Sequence, residues 1–477
     1  VSELIPESED RSEARLEREP EDQQLPPNIE LIPSAEPETD TVSETDTNLR
    51  SALREIFSWR NYAIYLLTSW IFGAFDKLNY FFNLYLLEIG WEILFIGSVG
   101  SMISVVTLLS RFFGGYVGDV VDRKVLSTVG MLIAAIYSIL IGLFVDTTIL
   151  IFALVISSLL SIVKGGSTAY IMDNIPKKHS GLALSLFTAG GVFGVITLLT
   201  FHYLVTITEF AFAFRVLYLL GGIVFLGSTI ARAVLLDSSK PQGREEGRPV
   251  WKDFIHQNIN SIRLFISLAP GIVFIMVVDA ISDSLFNFGA PIYTNEILGV
   301  RIIGINIIVL TALVVSVPLL LSVGRSSDKR NPKHVALMVY SLMPVCALLL
   351  ILAPVFPVWG PASFIDAADA IFPGLGVIFT TPFLAIMIKT VNDSLWWLVI
   401  LTVIRRSLPA QNTSKILAVY WIIVAIFRSV GPFLGGVMYV FLDPATIFIF
   451  VLVLNLIILG SLSSKRISIT NDVAEEG

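Results

Sequence analysis

The feature that constrains this chain most is a series of apolar runs, each about twenty residues long, recurring from Tyr62 to Leu462. A helix of about twenty residues rises about 30 Å, the thickness of the hydrocarbon core of a bilayer. Only 15% of the residues are charged and 55% are apolar, whereas a water-soluble globular chain is about a quarter charged. Lipid is therefore the expected solvent for most of the sequence, and backbone groups in lipid must find their partners inside helices. The runs predict an all-α integral membrane fold of twelve transmembrane helices, at 61–87, 93–118, 125–145, 148–174, 181–205, 213–236, 264–293, 302–323, 334–354, 383–406, 414–440 and 444–462. They are numbered helix 1 to helix 12 below.

The formal charge of −7 hides an uneven distribution. Residues 1–58 hold 16 acids against 5 bases, so the remainder of the chain is net positive. That segment has several prolines and no apolar run, which predicts a disordered acidic tail rather than a signal peptide. Its last stretch, 49–59, sets Leu49, Leu53, Ile56 and Phe57 on one helical face, suited to a helix on the membrane surface or to a lead-in to helix 1. The links after helices 2, 4, 6, 8 and 10 carry 16 Lys and Arg, and the opposite links only Arg215 and Arg301. This asymmetry predicts that the first set of links and both termini, including the short tail 463–477, are cytoplasmic.

An internal repeat divides the chain into halves at 59–236 and 264–462. Asp76-Lys77-Leu78-Asn79-Tyr80-Phe81 in helix 1 returns as Asp283-Ser284-Leu285-Phe286-Asn287-Phe288 in helix 7, offset by 207 residues. Gly115 to Asp119, followed by Arg123 and Lys124, returns as Gly324 to Asp328, followed by Lys329 and Lys333, offset by 209. Pro176 and Pro409 are offset by 233, which places an insertion at 355–384, between helices 9 and 10, expected to be an external cap or re-entrant segment and not a thirteenth crossing. Residues 237–263 join the halves as a cytoplasmic linker, with Trp251, Phe254, Ile255, Ile259 and Ile262 at the spacing of an interfacial helix.

The Gly-x-x-x-Asp pattern with basic residues after it, present after helix 2 and again after helix 8, resembles the signature loop of the major facilitator superfamily. Asp173-x-x-Pro176 with Gly181 and Ala183 is similar to that family's pattern after helix 4. The chain departs from the family at Val120, where a basic residue is usual, at Asp122, where a glycine is usual, and at His179, where an arginine often stands. The resemblance implies two pseudo-symmetric six-helix halves around a central cavity lined by helices 1, 4, 7 and 10. The chemistry of the signature follows from its residue types. Gly115 and Gly324 allow a neighbouring helix to come close, Asp119 and Asp328 can accept from free N–H groups at a helix start, and Arg123, Lys124, Lys329 and Lys333 balance those acids. The expectation is a gate on the cytoplasmic side.

Charges inside the apolar runs are the second signal, because each costs at least about 2.5–3.5 kcal/mol at a helix centre unless it faces a partner or a polar cavity. They are Asp76 and Lys77 in helix 1, Lys164 in helix 4, Asp279 and Asp283 in helix 7, Lys389 and Asp393 in helix 10, and Arg428 in helix 11. Asp279, Asp283 and Asn287 share one face of helix 7, and Asp76, Tyr80 and Asn83 are expected to share one face of helix 1. Each charge has two readings, a solute or proton site or an internal ion pair; Lys389 and Asp393, four residues apart, can satisfy each other. Arg428 precedes Gly431-Pro432-Phe433-Leu434-Gly435-Gly436 and is expected either to hold an anionic group or to pair with an acid in helix 8 or 10. Gly165, Gly166, Gly190, Gly194, Gly221 and Gly222 are expected at close helix contacts.

There is no phosphate-binding loop, nucleophile elbow or His/Cys pair at metal-ligand spacing, so neither an enzyme nor a cofactor or metal is expected. Nucleic acid is not an expected partner. The reading is a monomeric, alternating-access secondary transporter in the cell membrane, moving a small charged or zwitterionic solute with protons. The alternatives are multidrug efflux, a uniporter, and a transporter-like receptor or scaffold without flux.

Overall fold

The computed structural model describes residues 49–163, 189–239, 270–329, 332–407 and 413–464, with isolated positions between them. Lys164, Gly165, Gly166, most of the linker and the acidic tail up to residue 48 lie outside the described residues. The described residues are helical almost throughout, and their one β-bridge joins Val358 to Thr380. Helix 1 is Arg60–Asp76 continued, after a 3-10 segment Lys77–Phe81, by Phe82–Glu88. Helices 2 and 3 are Ile93–Val120 and Arg123–Leu143, helix 4 begins as Thr147–Ser158, and helices 5 and 6 are Gly194–Ile207, with a 3-10 lead-in, and Phe210–Leu235. In the second half, helices 7 and 8 are Pro270–Glu296 and Ile302–Lys329, helix 9 is Pro332–Tyr340 with Leu342–Leu352, helix 10 is Thr381–Ser407, helix 11 is Thr413–Arg428 with Val430–Phe441, and helix 12 is Thr446–Ser463. Among the described residues, eight helices are individually long and apolar enough to cross a membrane.

Prolines account for two of the interruptions. A proline inside a helix has no N–H to give to the carbonyl four residues earlier and crowds it. Pro432 thereby frees the carbonyl of Arg428, which accepts a hydrogen bond from Ser284 Oγ of helix 7 at 2.7 Å, and helix 11 breaks at Ser429. Pro344 likewise accompanies the break of helix 9 at Ser341.

Among the described residues, the halves meet at the end of the bundle remote from the linker. One buried cluster there draws Phe81 and Tyr85 from helix 1, Phe214 from helix 6, Ile292 from helix 7, Ile305 and Ile308 from helix 8 and Ile386 from helix 10. Asn306 Nδ2 of helix 8 donates to Leu198 O of helix 5 at 3.0 Å, and Phe433 N of helix 11 donates to Ser101 Oγ of helix 2 at 2.9 Å. Helices 2 and 11 can approach this closely because Gly97 faces Pro432 and Gly436; a Cβ on Gly97 would collide with the Pro432 carbonyl. The other expected small-residue contacts that are described behave alike, with Gly190 against Trp70, Gly194 against the Lys77 stem, Gly221 against Phe75 and Gly222 against Ile139.

Two segments bear on the expected boundaries. Leu49–Ser58, the last part of the segment expected to be disordered, is a helix as the spacing of Leu49, Leu53, Ile56 and Phe57 suggests, with Ala52 and Ile56 buried and Ile56 packing with Tyr62, Tyr65 and Leu66. The insertion is an excursion with closed ends, Trp359 N donating to Phe379 O at 2.9 Å and Thr381 N to Pro357 O at 3.0 Å. Its helix, Ala362–Ile371, has ten residues and so spans about 15 Å, half a bilayer core. Beyond that helix Phe372 stacks on His202 of helix 5 with ring centroids 4.4 Å apart.

Candidate functional site

Helix 7 presents Asp279, Asp283 and Asn287 at four-residue steps, and the second half builds an ion cluster on that face. Asp283 accepts from Lys389 Nζ at 2.8 Å and from Asn287 Nδ2 at 2.9 Å, and it pairs with Arg428 of helix 11. Lys389 also donates to Asp393, one turn along helix 10, at 2.6 Å. It is only 3% exposed, a cation withdrawn from water and held there by two carboxylates. Asp279 accepts from Trp396 Nε1 at 3.0 Å, and the Tyr340 hydroxyl lies 3.0 Å from both Asp279 Oδ1 and Asn455 Oδ1. Among the described residues the acid that pairs with Arg428 is in helix 7, not in the expected helix 8 or 10.

The cluster opens on a cavity of about 470 Å³ between the halves, lined by Asn83, Gly100 and Ser104 from the first and by Asp283, Asn287, Asp393 and Arg428 from the second. Arg428 also borders a second cavity of about 300 Å³, walled by Met276, Asp279, Ala280, Trp397, Trp421 and Val424. The group therefore stands between two spaces, its backbone fixed through Ser284.

Helix 1 departs from the face that its spacing predicts. A 3-10 helix advances about 120° per residue instead of about 100°, so the five residues of Lys77–Phe81 add roughly a quarter turn. Asp76 consequently lines a different cavity, of about 390 Å³ within the first half, while Asn83 faces the central one and Tyr80 lies close enough to Lys389 to interact with its charge. Asp76 accepts from Asn79 Nδ2 at 3.0 Å, and Asn79 Oδ1 accepts from the hydroxyls of Tyr218 at 2.7 Å and Tyr137 at 3.2 Å. Lys77 runs along Gly191 and Gly194 of helix 5. Asp76 and Asp283 occupy matching repeat positions but do not share a cavity among the described residues.

The signature segments are helical where the sequence suggests loops. Helix 2 continues through Asp119 to Val120, and helix 8 continues through Gly324 and Asp328 to Lys329. The surroundings of Gly115, Asp119, Gly324, Asp328 and Lys329 lie outside the described residues. The residues that follow have described roles. Asp122 caps helix 3 by accepting from Lys124 N at 2.7 Å, and it holds Ser238 Oγ and Ser239 N, just beyond helix 6, while Arg123 N donates to Ser239 O at 3.0 Å. Burial opposes the charge on Asp122, but these hydrogen bonds outweigh it and hold the carboxyl below its ordinary range. This explains an aspartate where the family often has glycine. In the second half Lys333, at the start of helix 9, donates to Ser464 O, just beyond helix 12, at 2.7 Å.

Several groups that shape the site escape the charge survey. Arg232, in the last turn of helix 6, is buried and donates to Thr68 Oγ1 and Ser69 Oγ at 2.9 Å and to Ser127 O at 3.1 Å, with its guanidinium 4.4 Å from the Tyr65 ring centroid. Arg111 of helix 2 lies 5.8 Å from the Trp421 ring centroid of helix 11. Both are charges inside apolar runs, so the signal was present. The neutral partners Tyr340, Trp396, Asn455, Tyr137 and Tyr218 carry none in sequence, being ordinary residues of apolar helices.

Comparison with known proteins agrees with this architecture. A search of curated protein sequences gives no match. Among solved structures, the nucleoside transporter NupG is similar with a TM-score of 0.59 at 12% identity, over 85% of this chain and 99% of that one. A D-xylose-proton symporter gives 0.58 at 11% identity over 86% and 98%, and a POT family transporter in complex with 5-aminolevulinic acid gives 0.58 at 12% identity over 86% and 97%. The family model described as Major Facilitator Superfamily matches residues 61–395. With its twelve helices in two halves and this family match, the chain belongs to the major facilitator superfamily and is a multi-pass membrane transporter.

Proposed function

We propose that the chain carries a small charged or zwitterionic solute by alternating access, coupled to protons, with the solute held in the cavity between the halves. The observation that carries this reading is the 470 Å³ cavity itself, because its wall combines polar groups of both halves with a connected cluster of acids and bases. Lys389 bridges Asp283 and Asp393, so either carboxylate can take up a proton while the ammonium keeps the other. A solute anion can draw Arg428 away from Asp283. The relatives include a proton symporter by name, which supports coupling as a working reading for this chain. The Lys and Arg asymmetry supports an orientation with both termini cytoplasmic, and the proposed location is the cell membrane. On that orientation the tight packing of helices 2 and 11 around Gly97 closes the outside, and the insertion is an external cap.

A substrate found by ligand-induced thermal stabilisation, where a ligand at a hundred times its Kd adds about 2.7 kcal/mol, would be followed in proteoliposomes under an imposed pH gradient. Asp76→Asn and Asp283→Asn are expected to keep solute exchange and lose accumulation. Should both variants concentrate solute as well as the parent, the uniporter reading replaces this one. That Asp76 and Asp283 share no cavity among the described residues favours that second reading.

A further inference from the structure

Arg111, unlike Asp283, Lys389, Asp393 and Arg428, is a charge in the bundle that belongs to no ion pair among the described residues. Among the described residues no carboxylate lies within ion-pairing distance of it. Its neighbour is the Trp421 ring, 5.8 Å away, and Trp421 walls the cavity that Arg428 of the other half borders. The two arginines belong to different halves, on helices 2 and 11. Trp421 is packed against Trp397 with ring centroids 4.7 Å apart, and this pair walls the 300 Å³ cavity whose other sides are Met276, Ala280 and Val424, with Arg428 at its edge and Asp279 in its wall. Both Asp279 oxygens already accept hydrogen bonds, from Tyr340 and Trp396. Asp279 is thus held by neutral donors and Arg428 by Asp283, which leaves Arg111 as the cation here outside any ion pair among the described residues.

We propose that the solute is an organic carboxylate with an apolar, preferably aromatic, body: its carboxylate is received between Arg111 and Arg428 and its body lies against the Trp397–Trp421 pair. The proposal rests on the transporter reading above and narrows its solute class. Three physical terms favour this ligand. Guanidinium groups present paired donors that match a carboxylate. An anion between two like charges removes their repulsion, and in a site shielded by lipid that interaction is stronger than in water. The tryptophan faces give an aromatic body offset-stacked contact. Because the arginines come from opposite halves, the same anion would also hold helices 2 and 11 together, linking binding to closure of the seam at this depth.

The test uses the purified full chain and three probes of one shape: phenylacetate, its neutral amide phenylacetamide, and phenethylamine. Thermal unfolding in detergent is expected to move upward with phenylacetate alone. Arg111→Gln should weaken phenylacetate at least tenfold while leaving the unliganded melting temperature near that of the parent, Arg111→Lys should recover part of the affinity, and Trp421→Leu should reduce it without restoring the amide. Arg428→Gln also strips a partner from Asp283, so the Arg111 variants carry the argument. Stabilisation by the amine instead of the carboxylate, or equal phenylacetate binding by the parent and Arg111→Gln, overturns the proposal and makes Arg111 a seam residue resting on Trp421. No response to any probe also overturns it. In that case, pH-driven accumulation of a solute without a carboxylate would leave the transporter reading standing.

Discussion

The two halves repeat one architecture and treat charge differently. In the first half, Arg232 is buried among neutral partners, two hydroxyls, a backbone carbonyl and the face of Tyr65, and Asp76 reaches Asn79 and through it two tyrosines. In the second half Arg428, Asp283, Lys389 and Asp393 form one chain of ion pairs, and all but Lys389 line the central cavity. Neutral partners fix a charge in place without depending on its sign elsewhere. An ionic network lets a proton or a charged solute at one member change every other, which is the property a coupled carrier needs. On the proposed reading, Arg232 has a scaffolding part and the second half's ion cluster a switching part.

The largest expected effect that would break this comparison is on Lys389. Lys389→Ala leaves Asp283 and Asp393 side by side without their shared cation and should cost about 3–5 kcal/mol, read from thermal unfolding of the purified variant; a loss smaller than that of the Arg232 variant would reverse the ranking. Arg232→Met comes next. It strands acceptors, but the Thr68 hydroxyl keeps the hydrogen bond it already donates to Ile64 O, so about 1–3 kcal/mol is expected, with solute binding unchanged. A change in affinity as large as the change in stability would place Arg232 in the transport machinery instead.

The smallest effect concerns the two ties between the start of a half's third helix and the chain just beyond its sixth. Asp122 makes the tie in the first half and Lys333 in the second. The folded state holds Asp122 below its ordinary value of 3.8. Its contribution is therefore complete above that value and is lost as the pH falls through the lower, folded one. Asp122→Asn should melt slightly below the parent at pH 7, by well under 1 kcal/mol for so exposed a group, and the gap should close in the acid range. Lys333→Met, which removes no carboxylate, serves as the control, with a difference that stays flat over the same range. A flat difference for Asp122→Asn as well would show that the carboxylate's charge has no part in the tie.

The crossings, the two halves and most of the charged residues of the cluster are legible in the sequence, because each is a local property: an apolar run long enough for a bilayer, a repeated string such as Asp76 to Phe81 and Asp283 to Phe288, a charge where lipid forbids one. Four-residue spacing even places Asp283 beside Asn287 and Lys389 beside Asp393, since both pairs lie within one regular helix. Pairing across helices is different in kind. That Lys389 reaches Asp283, that Arg428 turns to helix 7, and that Tyr340 and Trp396 meet Asp279 depend on how helices 7, 9, 10 and 11 pack, which no spacing along the chain encodes. The 3-10 turn at Lys77–Phe81 shows the same limit within a single helix. Its residues carry no proline to announce it, yet it rotates Asp76 away from Asn83 and into another cavity. Sequence determined which groups enter the membrane, because the cost of burying a charge in lipid is paid by the residue itself; tertiary structure decided which groups meet there, because that cost is offset only by a partner brought from elsewhere in the chain.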